Sequence, residues 1–382
     1  MRAAYNRTRI LDLRDSPWVD GPGRTILDTA RMVDQERYEI IIGSFCRDAP
    51  SKHKYLQKAL EYGLKTAPIL ETRRFEMNVV RQILAVMEKH SIDILHTHDF
   101  RSNVYGLLCA KISGKPIVST SHGWIANSAK DRLYVFVDRV LLRLFNRIIT
   151  VSEDMKRKLL KMGFKNERLE VVRNALIIEN YKADRSSQVL RDELGIDKSE
   201  VIIGNIGRLS PEKGQDIFLL SASDVIRNHE NARFLLVGKG GEEKALQKLA
   251  YELGIAEHIQ FLGYRDDMHE VYNNMDLVVQ SSYTEGMPNV ILESLLMEVP
   301  VVATRVGGTG EIVEDGVTGI LIDAHSREQL TDGILGFMSD PEFHMRLARE
   351  GRQYVTEHFD HKARICRISE IYDDLAVSRE SR

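Results

Sequence analysis

Two glutamates eight positions apart, Glu285 and Glu293, frame a turn that carries Gly286 and Pro288 between them. The apolar run from Asp276 to Gln280 before it reads as a buried strand. Pro288 suits the first position of a helix whose apolar stripe is Leu292, Leu295 and Leu296. A strand-turn-helix puts free helix N–H groups at the carboxyl edge of a sheet, where open α/β folds bind anionic ligands. Neither carboxylate is needed to build such a turn, so both are candidates for accepting hydrogen bonds from ligand hydroxyls. The backbone of Gly286, Met287, Pro288, Asn289 and Val290 would line the same place.

A second cluster is cationic. The stretch Gly207-Arg208 to Lys213-Gly214 follows the apolar run Val201–Ile206 and precedes a helical pattern. It is not a P-loop, because the lysine comes before the glycine and no Ser or Thr follows it. Arg208 and Lys213 at a helix start, with free N–H groups, could neutralise a diphosphate without metal. The chain also contains no Asp-x-Asp pair to carry a metal-bound diphosphate. Gly238 and Gly240 turn the chain after Phe234–Val237, and Leu262 stands in a similar turn after Ile259.

The first half holds histidines at strand ends: His96, His98 and the neighbouring Asp99, then His122 before Gly123. Two histidines two apart suggest a metal. Alternation of faces along a strand and the lack of a third firm ligand argue against one, so no metal site is expected. Gly21 and Gly23 lie in a turn after the first strand, where glycine lets a backbone approach a ligand. The spacing is not that of a dinucleotide fingerprint.

These residues need a scaffold, and the apolar patterning supplies it. In the first half, strand candidates Arg9–Leu13, Tyr38–Gly43, Ile92–His96, Pro116–Thr120, Arg147–Val151 and Leu169–Val172 alternate with amphipathic helical patterns. After a polar stretch from Tyr181 to Ser187, a second series runs through Val201–Ile206, Phe234–Val237, Ile259–Leu262, Leu277–Val279, Val301–Ala303 and Gly319–Ile322. This alternation gives parallel sheets with helices on both faces. At 382 residues two domains are the natural division. One is expected over 1–178, joined by a terminal helix over 360–382 that packs back on it, and the other over 179–359.

Three scattered cysteines, Cys46, Cys109 and Cys366, give neither a disulfide framework nor metal-ligand spacing. No apolar run is long enough for a transmembrane helix, and the first residues lack a signal-peptide stretch. The net charge of −3 conceals an imbalance: residues 1–180 carry 31 Lys+Arg against 21 Asp+Glu, and the remainder 22 against 35. A basic first half suggests an anionic acceptor or membrane surface rather than nucleic acid. The segment Asp131–Phe145 interleaves apolar residues with Arg132, Arg139 and Arg143; burial between sheet and neighbour is the preferred reading, a membrane-surface helix the other.

The Glu285–Glu293 pair, the Arg208–Lys213 turn, His122-Gly123, and the glycine turns at Gly238, Gly263 and Gly307-Gly308 resemble retaining glycosyltransferases of the GT4-type family. The resemblance spans nearly the whole chain, strongest from Gly207 to Gly319. It implies a GT-B fold: two Rossmann-like, doubly wound α/β domains facing across a cleft. It implies transfer of a sugar from a nucleotide diphosphate sugar, with UDP favoured over GDP, to a glycan, a lipid-linked acceptor or another anionic acceptor. Glu293 would hold ribose, Glu285 the sugar hydroxyls, Arg208 and Lys213 the diphosphate, and His122 the transferred sugar. Gly21, Gly23, Gly238, Gly240 and Leu262 would border the donor. No cofactor beyond the nucleotide sugar is expected. A cytoplasmic enzyme of polysaccharide synthesis, peripheral on the inner face of the membrane, fits this reading. A retaining phosphorylase and a non-catalytic nucleotide-sugar subunit of the same fold are the alternatives.

Overall fold

The computed structural model describes residues 7–380. The chain divides into two units. One runs to Asn174 and resumes at His361; the other is Ala175–Asp360. The first boundary thus falls before the expected 178/179.

The first unit carries a seven-stranded parallel sheet in the order β3-β2-β1-β4-β5-β6-β7. Its strands are β1 (Thr8–Arg14), β2 (Tyr38–Cys46), β3 (Thr66–Leu70), β4 (Ile94–Thr97), β5 (Ile117–Ser121), β6 (Arg147–Thr150) and β7 (Leu169–Val171). The helices between them are α1 (Gly21–Met32), α2 (Lys54–Glu61), α3 (Met77–Lys89), α4 (Phe100–Ser113), α5 (Ala129–Leu142) and α6 (Glu153–Lys161). The strands are apolar because the sheet is covered on both faces. Leu11, Ile41 and Ile148 look one way and Ile10, Ile40 and Ile149 the other, into two separate cores. The terminal helix, His361–Glu380, closes the second of these with Ile368, Ile371, Tyr372 and Leu375.

Strand β3 is absent from the sequence reading. It lies at the sheet edge with Pro68 inside it, and proline is tolerated in strands mainly at edges. The glycines before α1 differ too. Gly21 and Gly23 form the first turn of the helix itself, capped by Asp20, which accepts from the Gly23 N–H.

The second unit repeats the architecture with six parallel strands ordered β10-β9-β8-β11-β12-β13. They are β8 (Val201–Ile206), β9 (Ala232–Val237), β10 (Ile259–Gly263), β11 (Leu277–Gln280), β12 (Val301–Thr304) and β13 (Ile320–Ile322). The helices are α7 (Val189–Leu194), α8 (Gln215–Ile226), α9 (Glu243–Glu252), α10 (Met268–Asn274), α11 (Asn289–Leu296), α12 (Arg327–Ser339) and α13 (Pro341–His358). Each sheet reverses its winding once, between β1 and β4 and between β8 and β11. Ligands of doubly wound sheets bind at the carboxyl ends of the strands flanking such a reversal.

Candidate functional site

Both clusters of sequence-predicted residues fall at these reversals. In the second unit, the turn after β8 carries Arg208 and Lys213, and the turn after β11 carries Glu285. Lys213 Nζ donates to Glu285 Oε1 at 2.7 Å. The same oxygen accepts from Ser282 Oγ at 2.7 Å and Gln280 Nε2 at 3.2 Å. The amide of Gln280 is turned this way because its Oε1 accepts from the backbone N–H and the hydroxyl of Thr304. Arg208 is exposed and pairs with Glu212 at 2.8 Å. Each cation therefore meets a carboxylate, and the turn is closer to neutral than two bare cations would be.

Glu293 is buried one turn into α11. Its carboxylate accepts from the hydroxyls of Tyr272 at 2.7 Å and Tyr181 at 3.3 Å. Pro288 stands just outside α11, which begins at Asn289.

Close backbone contact explains the glycines. Gly214 has φ +63°, and a Cβ there would meet the Ser281 carbonyl at 2.2 Å. Gly238, at φ +142°, would meet the Gly207 carbonyl at 1.9 Å. The turns after β8, β9 and β11 are thus packed backbone on backbone, and any side chain would push them apart. Gly240 lies in the same β9 turn. Leu262 is skipped in the β9–β10 ladder, whose register shifts between Phe261 and Gly263.

In the first unit a cavity of about 280 Å³ opens at the ends of β4 and β5, with His98, Asp99, His122, Trp124 and Tyr134 in its wall. Asp99 caps α4 by accepting from the Ser102 N–H, and Ser102 Oγ accepts from the Asp99 N–H in return. Burial, with Asp15 nearby, pushes the Asp99 carboxyl up to about 6. From the cavity wall inward three imidazoles stack in a row, His122 on His98 at 5.4 Å and His98 on His96 at 4.4 Å between ring centres.

That stacking corrects the argument from strand faces. Residues two apart on a strand share a face, so His96 and His98 lie together. Nor is Asp99 their partner. Asp12, one strand away on β1 and in register with His96, comes between them. Among the described residues, Asp12, His96 and His98 bring potential ligand atoms within 4.8 Å of one another. Apart from Asp12 Oδ1, which is buried without a hydrogen-bond partner, their polar atoms are engaged. His96 Nδ1 faces the Tyr372 hydroxyl and Nε2 the Thr120 hydroxyl, both at 2.8 Å, and His98 Nε2 lies 2.9 Å from Asp12 Oδ2. The trio reads as a hydrogen-bonded network.

Arg14, at the end of β1, crosses to Asp20 at 2.5 and 2.7 Å beside Gly23, where a Cβ would strike the guanidinium. Asp12, Arg14, Gln280 and Tyr272 escaped the sequence reading. No local motif marks them; Asp12, Arg14 and Gln280 are placed by their strands, and Tyr272 by helix α10.

The preferred burial of the Asp131–Phe145 segment holds on one face only, where Leu142 and Phe145 enter the core. Leu133, Phe136, Val140 and Leu144 are 58, 65, 46 and 55% exposed, along one stripe of α5 and its end. The arginines are less free than their charge suggests. Arg143 donates to the carbonyls of Arg139 and Met162 and lies over the Phe164 ring, while Arg139 lies over Trp124. No described helix is long and apolar enough to cross a membrane.

Comparison with known proteins gives two family matches: "Glycosyltransferase Family 4" over residues 19–179 and "Glycosyl transferases group 1" over residues 186–354. The chain is 21% identical to the UDP-Gal:alpha-D-GlcNAc-diphosphoundecaprenol alpha-1,3-galactosyltransferase of Escherichia coli, covering 99% of this chain and all of that one. It is 26% identical to the D-inositol 3-phosphate glycosyltransferase of Corynebacterium glutamicum, over 77% of this chain and 75% of the relative. Among solved structures it resembles Anabaena Alr3699/HepE in complex with UDP-glucose, with a TM-score of 0.87 at 24% identity over 96% of this chain and all of that one.

Proposed function

The chain belongs to the GT4-type glycosyltransferases and has their GT-B fold, and from that premise we propose that it moves a sugar from a UDP-sugar to a lipid-linked or glycan acceptor, with retention and without metal. The observation that carries this reading is the Lys213–Glu285 pair beside Arg208 at the winding reversal of the second sheet. Uridine is favoured over guanosine because the structural relative holds UDP-glucose.

In this reading Glu293, oriented by Tyr272 and Tyr181, accepts from the ribose hydroxyls. Glu285, held by Ser282 and Gln280, accepts from hydroxyls of the sugar. Lys213 and Arg208 stabilise the charge that grows on the departing diphosphate. Such preorganised electrostatics lower a barrier where charge develops. A departing phosphate oxygen takes the acceptor proton, so retention needs no protein nucleophile. His122 holds the transferred sugar. The acceptor occupies the first unit, whose cavity at β4 and β5 is of ligand size.

The exposed α5 stripe, flanked by Lys130 and Arg132, supports a lipid-linked acceptor met at the inner membrane surface. A helix with an apolar stripe and a basic flank lies in the interface plane.

The test is incubation with UDP- and GDP-sugars and lipid-diphosphate-sugar acceptors, with products read by mass spectrometry and anomeric NMR. A glycosylated acceptor of retained configuration plus UDP, formed equally in EDTA, is the expected result. Inverted product, or activity abolished by EDTA and restored by Mn²⁺, overturns the respective part. Sugar phosphate formed from inorganic phosphate would establish the phosphorylase alternative instead.

A further inference from the structure

A line of hydrogen bonds runs through the first unit from Asp12 to the cavity wall. Asp12 Oδ2 lies 2.9 Å from His98 Nε2, and His98 Nδ1 lies 3.2 Å from His122 Nε2. His122 Nδ1, the far end of the line, is buried without a hydrogen-bond partner. Asp12 and His98 are themselves buried, so no solvent competes for these contacts.

The donor and acceptor inventory leaves little freedom along this line. An ionised carboxylate only accepts, so His98 must carry its proton on Nε2. A neutral imidazole has one N–H, so His98 Nδ1 is then bare and accepts from His122 Nε2–H. His122 Nδ1 is left as a lone pair. His96 does not interfere, because both its partners are hydroxyls, which donate or accept as required.

We propose that Asp12, acting through His98, is a positioning residue that fixes His122 in the Nε2-protonated tautomer, so that Nδ1 accepts a hydrogen bond from a hydroxyl of the bound sugar. The assignment of His122 to the sugar rests on the transferase reading above; the tautomer itself does not. Charge states agree. Burial holds His98 and His122 well below the usual imidazole range, so both are neutral at pH 7.5, while Asp12, pushed up to about 6 by burial, is ionised there. When Asp12 takes a proton on Oδ2, the oxygen that faces His98, it becomes the donor and every bond in the line reverses, leaving His122 with Nδ1–H. The device therefore has a direction that pH inverts.

The groups facing this line are Arg14 on β1, His96 on β4, Tyr55 on α2, Asp20 at α1, Asp99 at α4, and Arg364 and Tyr372 on the terminal helix. Between pH 5 and 7.5 the arginines stay cationic and the tyrosines neutral, and burial holds His96 neutral with its pKa lowered to about 3. Asp99 titrates in the same interval as Asp12, so an Asp99→Asn variant serves as the control.

Long-range proton–nitrogen spectra of the full chain with ¹⁵N-labelled histidine read the tautomer directly, without any substrate. At pH 7.5 His122 should be protonated at Nε2 and bare at Nδ1, and towards pH 5 the proton should move to Nδ1, in the Asp99→Asn control as in wild type. Asp12→Ala, which removes the obligatory acceptor, should give mixed tautomers and lower kcat on the order of tenfold or more, with UDP binding intact. An Nδ1–H at pH 7.5, or no exchange towards pH 5, overturns the proposal even if Asp12→Ala fails to fold. If the tautomer behaves as stated but the wild type transfers no sugar, the transferase reading fails and the positioning line stands.

Discussion

Lys213 Nζ and Glu285 Oε1 meet at 2.7 Å, tying the turn after β8 to the turn after β11 across 72 residues of chain. The pair is part-buried, and the carboxylate has two further donors in Ser282 and Gln280, so its position is fixed before any ligand arrives. A cation held in this way costs no reorganisation when charge develops next to it.

Lys213→Met should therefore lower kcat on the order of 100- to 1,000-fold, with Glu285 left facing only neutral donors. Glu285→Gln should cut kcat while binding of UDP stays nearly unchanged, because the sugar rather than the nucleotide meets this carboxylate. Calorimetry with UDP and steady-state rates separate the two. Equal loss of UDP binding in both variants would remove the division of labour.

Glu293 is predicted to behave oppositely. Glu293→Gln should weaken UDP binding by about 1.5–3 kcal/mol, the worth of hydrogen bonds to a charged group. Tyr272→Phe removes one of the hydroxyls that orient the carboxylate and should cost less, about 1 kcal/mol. A Tyr272→Phe loss as large as that of Glu293→Gln would mean that Tyr272 itself carries the nucleotide contact.

How much of this was legible in the sequence follows from what is local. The strands of both sheets are apolar runs with turn residues at their ends, and only edge strand β3, with Pro68, lacked that signal. The GT-B fold and the family were readable because glycine and charged residues recur at fixed offsets after each strand. The partners of the site residues were not. Asp12 meets His98 across 86 residues, and Tyr181 meets Glu293 across 112. Register between β1 and β4 brings the first pair together and packing against α11 the second, and no spacing announces either. At α5 periodicity could not tell which apolar residues pack, since Leu142 and Phe145 enter the core while Leu133 and Phe136 stay exposed.

Asp12 should be a site where stability is given up for function. Its carboxyl is raised from the usual 3.8 to about 6 by burial, against the pull of His96, Arg14 and Arg364. A raised folded pKa favours the protonated form, so this contribution is fully present below the unfolded value and lost as pH rises through the folded one. Asp12→Asn stays neutral throughout and should be more stable than wild type at pH 8, by on the order of 3 kcal/mol. The difference should shrink towards zero near pH 4. The depressed histidines destabilise both proteins alike in acid, so the comparison cancels them. Melting temperatures of the two proteins across pH 4–8 check this; a pH-independent difference would show that folded Asp12 ionises near its ordinary 3.8, as in the unfolded chain.

The last prediction concerns α5. Leu133, Phe136, Val140 and Leu144 recur at spacings of three and four, which is one helical face, and that face is exposed. Burying such side chains in an acyl boundary is worth about 1.5–3 kcal/mol each, and each nearby Lys or Arg adds about 1 kcal/mol at an anionic surface. The stripe should therefore contribute more than the charges. Arg139 and Arg143 contribute less than other cations, since they lie over Trp124 and Phe164 and Arg143 is tied to two carbonyls. Leu133→Ser with Phe136→Ser should abolish co-sedimentation with anionic vesicles at any salt concentration. Lys130→Ser with Arg132→Ser should only weaken it and should flatten its salt dependence, because screening acts on charges and not on apolar burial. UDP binding should be unaffected in both, as the nucleotide residues lie in the other unit. Undiminished pelleting of the Leu133→Ser, Phe136→Ser variant would mean that another surface meets the lipid, and no pelleting of the wild type would point to a soluble glycan acceptor.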